Sequence, residues 1–396
     1  MKKSLLLLLI LVLGVSPASA ATKKISVKKI EVIATLNEIE GLIVSGKTLV
    51  TYSNTGAAQS NIALVGLDAS GQMLWQREVD SGVDEIAMAG AVDSTGNIWI
   101  AGSSAPIIAA DTATSTTLAE NPDGVIIEPT PSFRSDMNLL TLWKISPDGE
   151  LLATYTSAQS APALISSISI NSSGVSLVGQ LLDRPFLVSA TISGEFGSVI
   201  YIGSSKTFLN AVVRNANGSI NVFGSSSEKL NGKKLVGKRD GVLIKVSKGG
   251  KITLVVRSSA NKANRSWIVA DSTLALTGYV KTGKVIQSAF TKFSPTFVPQ
   301  WTQRFTSSGA SSILTAGSAT YAALGSTSAI TGISRWKPTT TQLLVLSFSS
   351  KGVLSGAFAS SELAEPISMA YSKEIGLYGL ALSSDQKLTL FRVGIK

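Results

Sequence analysis

The sequence contains no cysteine and no histidine among its 396 residues. Without cysteine, the chain forms neither disulfides nor thiolate metal sites. Without histidine, it cannot contain a Ser-His-Asp or Cys-His nucleophile, a histidine-ligated zinc ion or a histidine proton shuttle. Any catalysis would therefore depend on carboxylates, tyrosine, lysine or arginine.

Charge is also scarce, since Asp, Glu, Lys and Arg make up 15% of the chain. The formal net charge is +10, a modest excess for a chain of this length. A basic surface exposed to solvent explains such an excess without a polyanionic partner. We therefore expect no nucleic acid among the ligands of this protein.

Long apolar runs are absent after the first twenty residues, MKKSLLLLLILVLGVSPASA. Two lysines, a short apolar run and the Ala18-Ser19-Ala20 ending are typical of a secretory signal peptide over residues 1–20. We expect cleavage after Ala20, a secreted protein (extracellular or periplasmic), and no membrane span in the mature chain. An uncleaved anchor is the alternative.

A short phrase, a polar turn before an apolar strand that ends in glycine, recurs along the chain. It begins with VDSTGNIWIAGSS at 92–104 and returns in NSSGVSLVGQL, NANGSINVFGSS, DSTLALTGYV, SATYAALGSTS and SKEIGLYGLAL. The late glycines are Gly102, Gly179, Gly224, Gly278, Gly325 and Gly379. An earlier copy, SGKTLVTYS, has Tyr52 in the place of the glycine. Glycine inside a strand indicates a close approach of two backbones.

A second phrase alternates with the first and reads as a strand, a glycine turn and a strand, as in LLTLWKISPDGELLATYTS at 139–157. One phrase of each kind makes a four-stranded antiparallel unit of about 50 residues, which is the size of a β-propeller blade. We predict an all-β fold, a single seven-bladed β-propeller over residues 21–396, in which Trp99 and Trp143 pack between blades. The predicted blades begin near Glu38, Val83, Ala161, Ser205, Ala263, Gly309 and Glu362.

The last predicted blade is one strand short, whereas residues 23–36, KKISVKKIEVIATL, form one strand too many at the other end. We predict that this N-terminal strand fills the vacancy and closes the ring, because closure removes the bare sheet edges. Lys28 and Lys29 suit an outermost position exposed to solvent.

The phrases DSTGNIWIAGSS and LLTLWKISPDGELLATYTS resemble the bacterial seven-bladed β-propeller repeat of the SBBP type. The resemblance implies the fold and an extracytoplasmic location, and no catalytic residues come with it. LVGLDASGQMLWQREV also resembles the repeat of quinoprotein-like propellers, but only FVPQWTQRF at 297–305 keeps a tryptophan in that place. We expect no cofactor and no metal.

In such a fold, the loops between second and third strands share one face with the connections between blades. The long loops at 104–136, 226–240 and 330–340 fall on this face, and function usually lies on elaborated loops. Basic residues concentrate in 228–251 and acidic ones at the starts of the first, second and last blades. The candidate binding residues are Glu38, Glu40, Asp84, Glu85, Asp123, Lys206, Arg265, Trp336 and Glu365.

Two interpretations of these residues stay open. Trp336 is either an exposed aromatic that contacts a ligand or a plug over the edge of the ring, and the charges are either a recognition surface or solvated loop residues. We predict an exported, monomeric, noncatalytic binding or scaffold module for an envelope or extracellular protein or glycan. The alternative is a carboxylate-based glycoside hydrolase or lyase, in which Asp84 or Glu85 acts with Glu365 at the channel mouth.

Overall fold

A computed structural model describes residues 24–56, 59–107 and 136–394. The predicted signal peptide and most of the 104–136 insertion, including Asp123, lie outside the described residues. None of the described segments is a helix long and apolar enough to cross a membrane. The strands are β1 (Ile25–Lys29), β2 (Glu31–Leu36), β3 (Gly41–Ser45), β4 (Thr48–Thr55), β5 (Asn61–Leu67), β6 (Met73–Val79), β7 (Glu85–Val92), β8 (Ile98–Ser104), β9 (Leu139–Ile145), β10 (Leu151–Ala158), β11 (Ala163–Asn171), β12 (Gly174–Leu181), β13 (Arg184–Ala190), β14 (Ile200–Tyr201), β15 (Thr207–Arg214), β16 (Ile220–Ser226), β17 (Asp240–Val246), β18 (Ile252–Ser258), β19 (Asn264–Ala270), β20 (Ala275–Thr282), β21 (Val285–Phe293), β22 (Pro299–Ala316), β23 (Ala319–Ser326), β24 (Ile333–Ser334), β25 (Gln342–Phe348), β26 (Leu354–Ala359), β27 (Leu363–Ser372), β28 (Gly376–Ser383) and β29 (Leu388–Val393).

These strands form five four-stranded antiparallel sheets and one sheet of nine strands. We call the four-stranded sheets blade one (β3–β6), blade two (β7–β10), blade three (β11–β14), blade four (β15–β18) and the terminal blade (β2 with β27–β29). The predicted all-β propeller with four-stranded antiparallel blades is confirmed. The count of seven separate blades is not, because hydrogen bonding gives five.

The nine-stranded sheet arises because β22 continues for 18 residues, Pro299–Ala316, without a break. Its first half pairs with β21 as far as Thr306, which lies opposite Gln287. Its second half pairs with β23 and begins at Ser307, which lies opposite Ser326. The sequence predicts a blade boundary near Gly309, but the hydrogen-bond ladder runs on from one set of strands to the next.

The N-terminal segment forms two strands where the sequence predicts one. β2 pairs antiparallel with β29, and β1 pairs parallel with β26 and β24. The break falls at Ile30, which is fully buried and whose N–H donates to the carbonyl of Ala359 at 2.9 Å. The chain thus passes from one sheet to the other at a buried residue. Lys28 and Lys29 are exposed, as predicted.

The recurring glycines lie on second strands, at positions where the backbone of the paired first strand comes close. A Cβ added at Gly102 would lie 1.8 Å from the carbonyl oxygen of Ile86, and one at Gly224 would lie 1.9 Å from that of Phe208. These contacts confirm the predicted close approach. In blade one the roles are exchanged: Tyr52 on β4 lies opposite Gly41 on β3, where a Cβ would be 2.2 Å from the Tyr52 hydroxyl.

Apolar side chains fill the spaces between blades. Trp99 belongs to a buried cluster that includes Leu177 and Phe186 of blade three, while Trp143 belongs to one that includes Ile43 of blade one. Both indoles are fully buried. The predicted packing of these tryptophans between blades is confirmed, and the core consists of separate clusters between sheets.

Candidate functional site

The connections between blades and the second-to-third loops meet on one face, which we call the long-loop face. The N–H of Ser60 donates to Oδ1 of Asp84 at 2.7 Å, and the N–H of Ser227 donates to the carbonyl of Lys206 at 3.0 Å. In the terminal blade, the N–H of Ser384 donates to the carbonyl of Glu362 at 3.0 Å. Each of these hydrogen bonds joins a loop between second and third strands to a connection between blades.

Two adjoining cavities of about 520 and 450 Å³ open on this face and share Ile268 and Tyr279 in their walls. We call them together the mouth groove. Its other lining residues are Ser166, Phe208, Asn210, Ser225, Arg239, Ser266, Val269, Lys281, Ile286, Ser308, Gly309 and Ala310. Most of them come from first and second strands of neighbouring sheets, whereas Arg239 lies in the loop before β17 and Ile286 lies in β21. Among these described residues there is no carboxylate.

Arg239 is the cation at one end of the mouth groove. Its guanidinium carbon lies 4.8 Å from the ring centroid of Phe208, and its Nε donates to Oγ of Ser227 at 3.2 Å. Its carbonyl accepts the N–H of Arg265 at 2.8 Å, which ties the end of the blade-four loop to the start of β19. The side chain is half-buried and has no carboxylate partner among the described residues. A positioned positive charge therefore faces the groove.

Asn210 fixes the floor of the groove between blade four and β19. Its Nδ2 donates to Oγ of Ser266 at 3.1 Å and to the carbonyl of Trp267 at 2.7 Å. Ser225 and Ser266, which contribute hydroxyls to the same wall, are 2% and 5% exposed. The groove thus combines positioned polar groups with the rings of Phe208 and Tyr279, a composition typical of ligand sites.

The blade-four loop, residues 227–239, is held by two carboxylates. Asp240 accepts the N–H groups of Val236 and Gly237 and pairs with Arg257. Glu228 accepts hydrogen bonds from Ser204 and Thr207. Partial burial acts to raise the pKa of Glu228, but these hydrogen bonds outweigh it and leave the pKa below its ordinary value.

Both of these carboxylates are therefore already engaged in holding the loop. Five lysines around the loop are exposed and form no ion pair within the described part of the chain. They are Lys206, Lys229, Lys233, Lys234 and Lys238. This side of the long-loop face is consequently positive, as the basic stretch 228–251 indicates.

The predicted acidic residues differ in their exposure to solvent. Glu38 and Glu40 are exposed before β3, and Asp84 and Glu365 are half-buried. Glu85 is fully buried, and Oγ of Ser81 donates to its Oε1 at 2.5 Å. Burial raises the pKa of Glu85, against the hydrogen bonding from Ser81. The prediction that Glu85 lies on a binding surface is wrong, because it begins β7 and its side chain points into the interior.

The prediction that Arg265 contacts a ligand at the surface is also wrong, whereas Lys206 is exposed as expected. The Arg265 guanidinium packs over the indole of Trp267, 4.4 Å from the ring centroid, and the residue is 6% exposed. Burial, together with the nearby charge of Arg304, lowers the pKa of Arg265 to about 10. Its Nε has no hydrogen-bond partner within the described residues.

Trp336 is buried, so its interpretation as an exposed aromatic anchor is wrong. It is 8% exposed, its Nε1 donates to Oγ of Ser326 at 2.9 Å, and it packs with Leu324 and Leu346. The reason is that the loop carrying it includes β24, which pairs with β1 and thereby folds over the sheet edge. The alternative, a plug over the edge, describes what the structure has.

Sequence reasoning missed most of the mouth groove. Arg239 belongs to the basic stretch that the sequence singles out, but Phe208, Asn210, Ser266 and Tyr279 lie within strand phrases and carry no motif. The described residues also contain no group of three or more acidic residues that could hold a metal ion. The site is therefore one of cations, hydroxyls and aromatic rings.

No family model and no curated protein matches the chain. Among solved structures, the WD40 domain of Toxoplasma gondii coronin is 11% identical, with 94% of this chain and 90% of that chain covered and a TM-score of 0.53. A putative 6-phosphogluconolactonase from Bacteroides uniformis is 11% identical, with 87% and 92% covered and a TM-score of 0.50. At such identities the likeness shows the fold alone, that of a β-propeller with four-stranded antiparallel blades.

Proposed function

We propose that this protein is a noncatalytic recognition module that binds a protein or glycan ligand in the mouth groove. The observation that carries the proposal is the groove itself: a concave site on the long-loop face, lined by Phe208, Tyr279, serine hydroxyls and the cations Arg239 and Lys281. Propellers commonly present such surfaces to partners, although the fold alone does not specify a function.

We further propose that the nine-stranded sheet acts as two blades joined through β22, which gives seven in all. Contacts between successive first strands support this, since they run from β3 through β7, β11, β15, β19, β22 and β27 and return to β3. Gly309, at a φ of 107° within β22, lies between the two halves. In this arrangement β2 completes the terminal blade, and the groove lies at the mouth of a central channel.

The alternative function, a glycoside hydrolase or lyase that uses Asp84 or Glu85 with Glu365, is less well supported. Glu85 is buried and hydrogen-bonded to Ser81, and Asp84 accepts the N–H of Ser60. A glycosidase requires two carboxyl groups that both reach the substrate. Incubation of the protein with labelled oligosaccharides should therefore release no shorter products.

Export to the cell envelope and a monomeric state are part of the proposal. Export is supported by the signal-peptide pattern that ends at Ala20. N-terminal sequencing of the protein recovered outside the cytoplasm should begin at Ala21, and light scattering should give the mass of one chain. Recovery of an uncleaved N-terminus from membranes would favour the anchored alternative.

The binding proposal is tested by blocking the groove. Ser166 is exposed in its wall, so Ser166→Trp should fill the space without disturbing the core. Ser94→Trp is the matched control, because Ser94 is exposed in a turn of the opposite face. On an array of glycans and peptides, the wild type and Ser94→Trp should bind the same probes, and Ser166→Trp should lose them. Equal binding by all three proteins, or none by the wild type, would refute the proposal.

A further inference from the structure

We propose that the ligand of the mouth groove is an anionic saccharide, whose acidic groups contact Arg239 and Lys281 and whose sugar ring packs on Tyr279. This inference rests on the proposed function and names the class of ligand. The charge of the groove, the side chains of its walls and the hydrogen bonding of the neighbouring backbone support it.

The charge of the groove is positive and is not neutralised by the described residues around it. Arg239 and Lys281 line its two cavities, and Lys206 and Lys238 lie on the loops beside Arg239. The neighbouring carboxylate of Asp240 pairs with Arg257. Glu228 accepts hydrogen bonds from Ser204 and Thr207, and its negative charge offsets that of Lys206. Arg239, Lys238 and Lys281 form no ion pair within the described residues. Cations held around a concave site produce a positive electrostatic potential inside it, and this potential favours an anionic ligand.

The walls of the groove favour a sugar as the carrier of this charge. Ser166 exposes its hydroxyl in the wall, and Ser225 lines the same cavity. Hydroxyl groups both donate and accept hydrogen bonds, so they suit the hydroxyls of a saccharide. Tyr279 is half-buried and is shared by both cavities, so its ring lies at the middle of the groove. Aromatic rings provide a broad apolar contact with a polar edge, which suits a pyranose ring.

An acidic peptide fits the groove less well. Peptides that bind to sheets commonly add a strand and use free main-chain groups. On the wall formed by β19, the carbonyl of Trp267 is already occupied by Nδ2 of Asn210, and the N–H of Arg265 is occupied by the carbonyl of Arg239. Recognition in the groove therefore depends on side chains, which matches a saccharide better than an extended chain.

The test measures binding of four probes by calorimetry: hexagalacturonate, a sulfated heparin hexasaccharide, maltohexaose as the neutral control, and hexaglutamate as the peptide control. We expect one or both acidic saccharides to bind and maltohexaose and hexaglutamate to bind at least about tenfold more weakly, since charge-assisted hydrogen bonds contribute that much. Binding of hexagalacturonate would show that carboxylates suffice, whereas binding of the heparin hexasaccharide alone would show that sulfates are needed, because heparin carries both groups. The affinity should fall as salt is added.

Variants then assign the effect to the groove. Arg239→Gln should weaken binding of the acidic saccharide about tenfold and Lys281→Gln a few-fold, because Lys281 is more exposed. Lys351→Gln removes the same charge from a turn of the opposite face and should leave affinity unchanged. Thermal melts identify any variant that fails to fold. If Arg239→Gln does not fold, Lys281→Gln still tests the inference, because Lys281 is exposed.

Three outcomes would overturn the inference. One is that maltohexaose binds as tightly as the acidic saccharides, and another is that Lys351→Gln weakens binding as much as Lys281→Gln. Either result would mean that charge in the groove does not select the ligand. Tighter binding of hexaglutamate would assign the groove to an acidic peptide. In each case the array result with Ser166→Trp can still support the proposed function. Only the absence of any ligand blocked by Ser166→Trp removes both.

Discussion

The guanidinium of Arg257 lies 3.2 Å from the carboxylate of Asp240, and the two side chains are 6% and 0% exposed. This pair holds the loop that carries Arg239, because Asp240 also accepts the N–H groups of Val236 and Gly237. Arg257 in addition donates to the carbonyl of Glu228. A single buried ion pair therefore connects the stability of blade four to the shape of the mouth groove.

Asp240→Asn should lower the free energy of unfolding by about 3 to 5 kcal/mol, because it leaves the buried Arg257 without its counter-ion. Chemical denaturation measures the change. Glu150→Gln removes one partner of the exposed pair between Arg77 and Glu150 and should have little effect. If the two variants are equally stable, Asp240 does not have the anchoring role described above.

The close contact between Gly102 and Ile86 gives a second prediction. A methyl group at Gly102 would lie 1.8 Å from the carbonyl oxygen of Ile86, so Gly102→Ala must push β7 and β8 apart. We expect a loss of about 3 kcal/mol or more in the free energy of unfolding. Gly394→Ala is the control, because no described atom lies within 4 Å of the added carbon there. Equal melting temperatures for the two variants would contradict the contact.

Asp93 provides a prediction for acid stability. Partial burial acts to raise the pKa of Asp93, but hydrogen bonds from Thr95, Trp99 and Asn97 outweigh it and bring the pKa to about 2. Since the folded pKa lies below the unfolded one, this carboxylate stabilises the fold above its ordinary pKa of about 4, and the contribution is lost as the pH falls toward about 2.

Asp93→Asn should therefore lower stability at neutral pH and flatten the change in stability over the acid range. Urea denaturation as a function of pH measures this. Thr95→Val removes one donor and keeps the carboxylate, so its acid limb should fall between those of the wild type and Asp93→Asn. An acid limb in Asp93→Asn as steep as that of the wild type would refute the assignment.

The N-terminal strands give a prediction about the sheet edges. β2 covers the edge of β29, and β1 covers the edge of β26. Removal of residues 24–36 should expose both edges, remove the buried Ile30 and cause unfolding or aggregation, as seen by size-exclusion chromatography and thermal melting. The variant Lys29→Ser changes only an exposed side chain and should behave as the wild type. An unchanged melting temperature after the deletion would contradict the pairing.

The sequence predicts the units of this fold well, because each unit depends on local chemistry. The turn at Asp93 and the glycine at 102 lie in one phrase and recur in others, and Trp99 of the same phrase is buried. The joined sheet could not be predicted in this way. Gly309 reads as a break between units, yet β22 runs through it, since continuity there depends on pairing with both β21 and β23.

The candidate site was less predictable, because its residues come from strands that are far apart in the chain. Phe208, Arg239 and Tyr279 meet only after the first strands of neighbouring blades pack together. Loop position alone also misplaced Glu85, Arg265 and Trp336, whose side chains turn inward to Ser81, Trp267 and Ser326. The direction of a side chain at a strand end depends on packing that the sequence pattern does not specify.

The central claim, recognition at the mouth groove, is tested most directly by hydrogen–deuterium exchange with the array probe that binds the wild type most tightly. We expect slower exchange in peptides that contain Phe208, Arg239, Ser266 and Tyr279. No change is expected at Asp93 or in the other turns of the opposite face. Protection confined to that opposite face, or an exchange pattern unaltered by a bound ligand, would contradict the account.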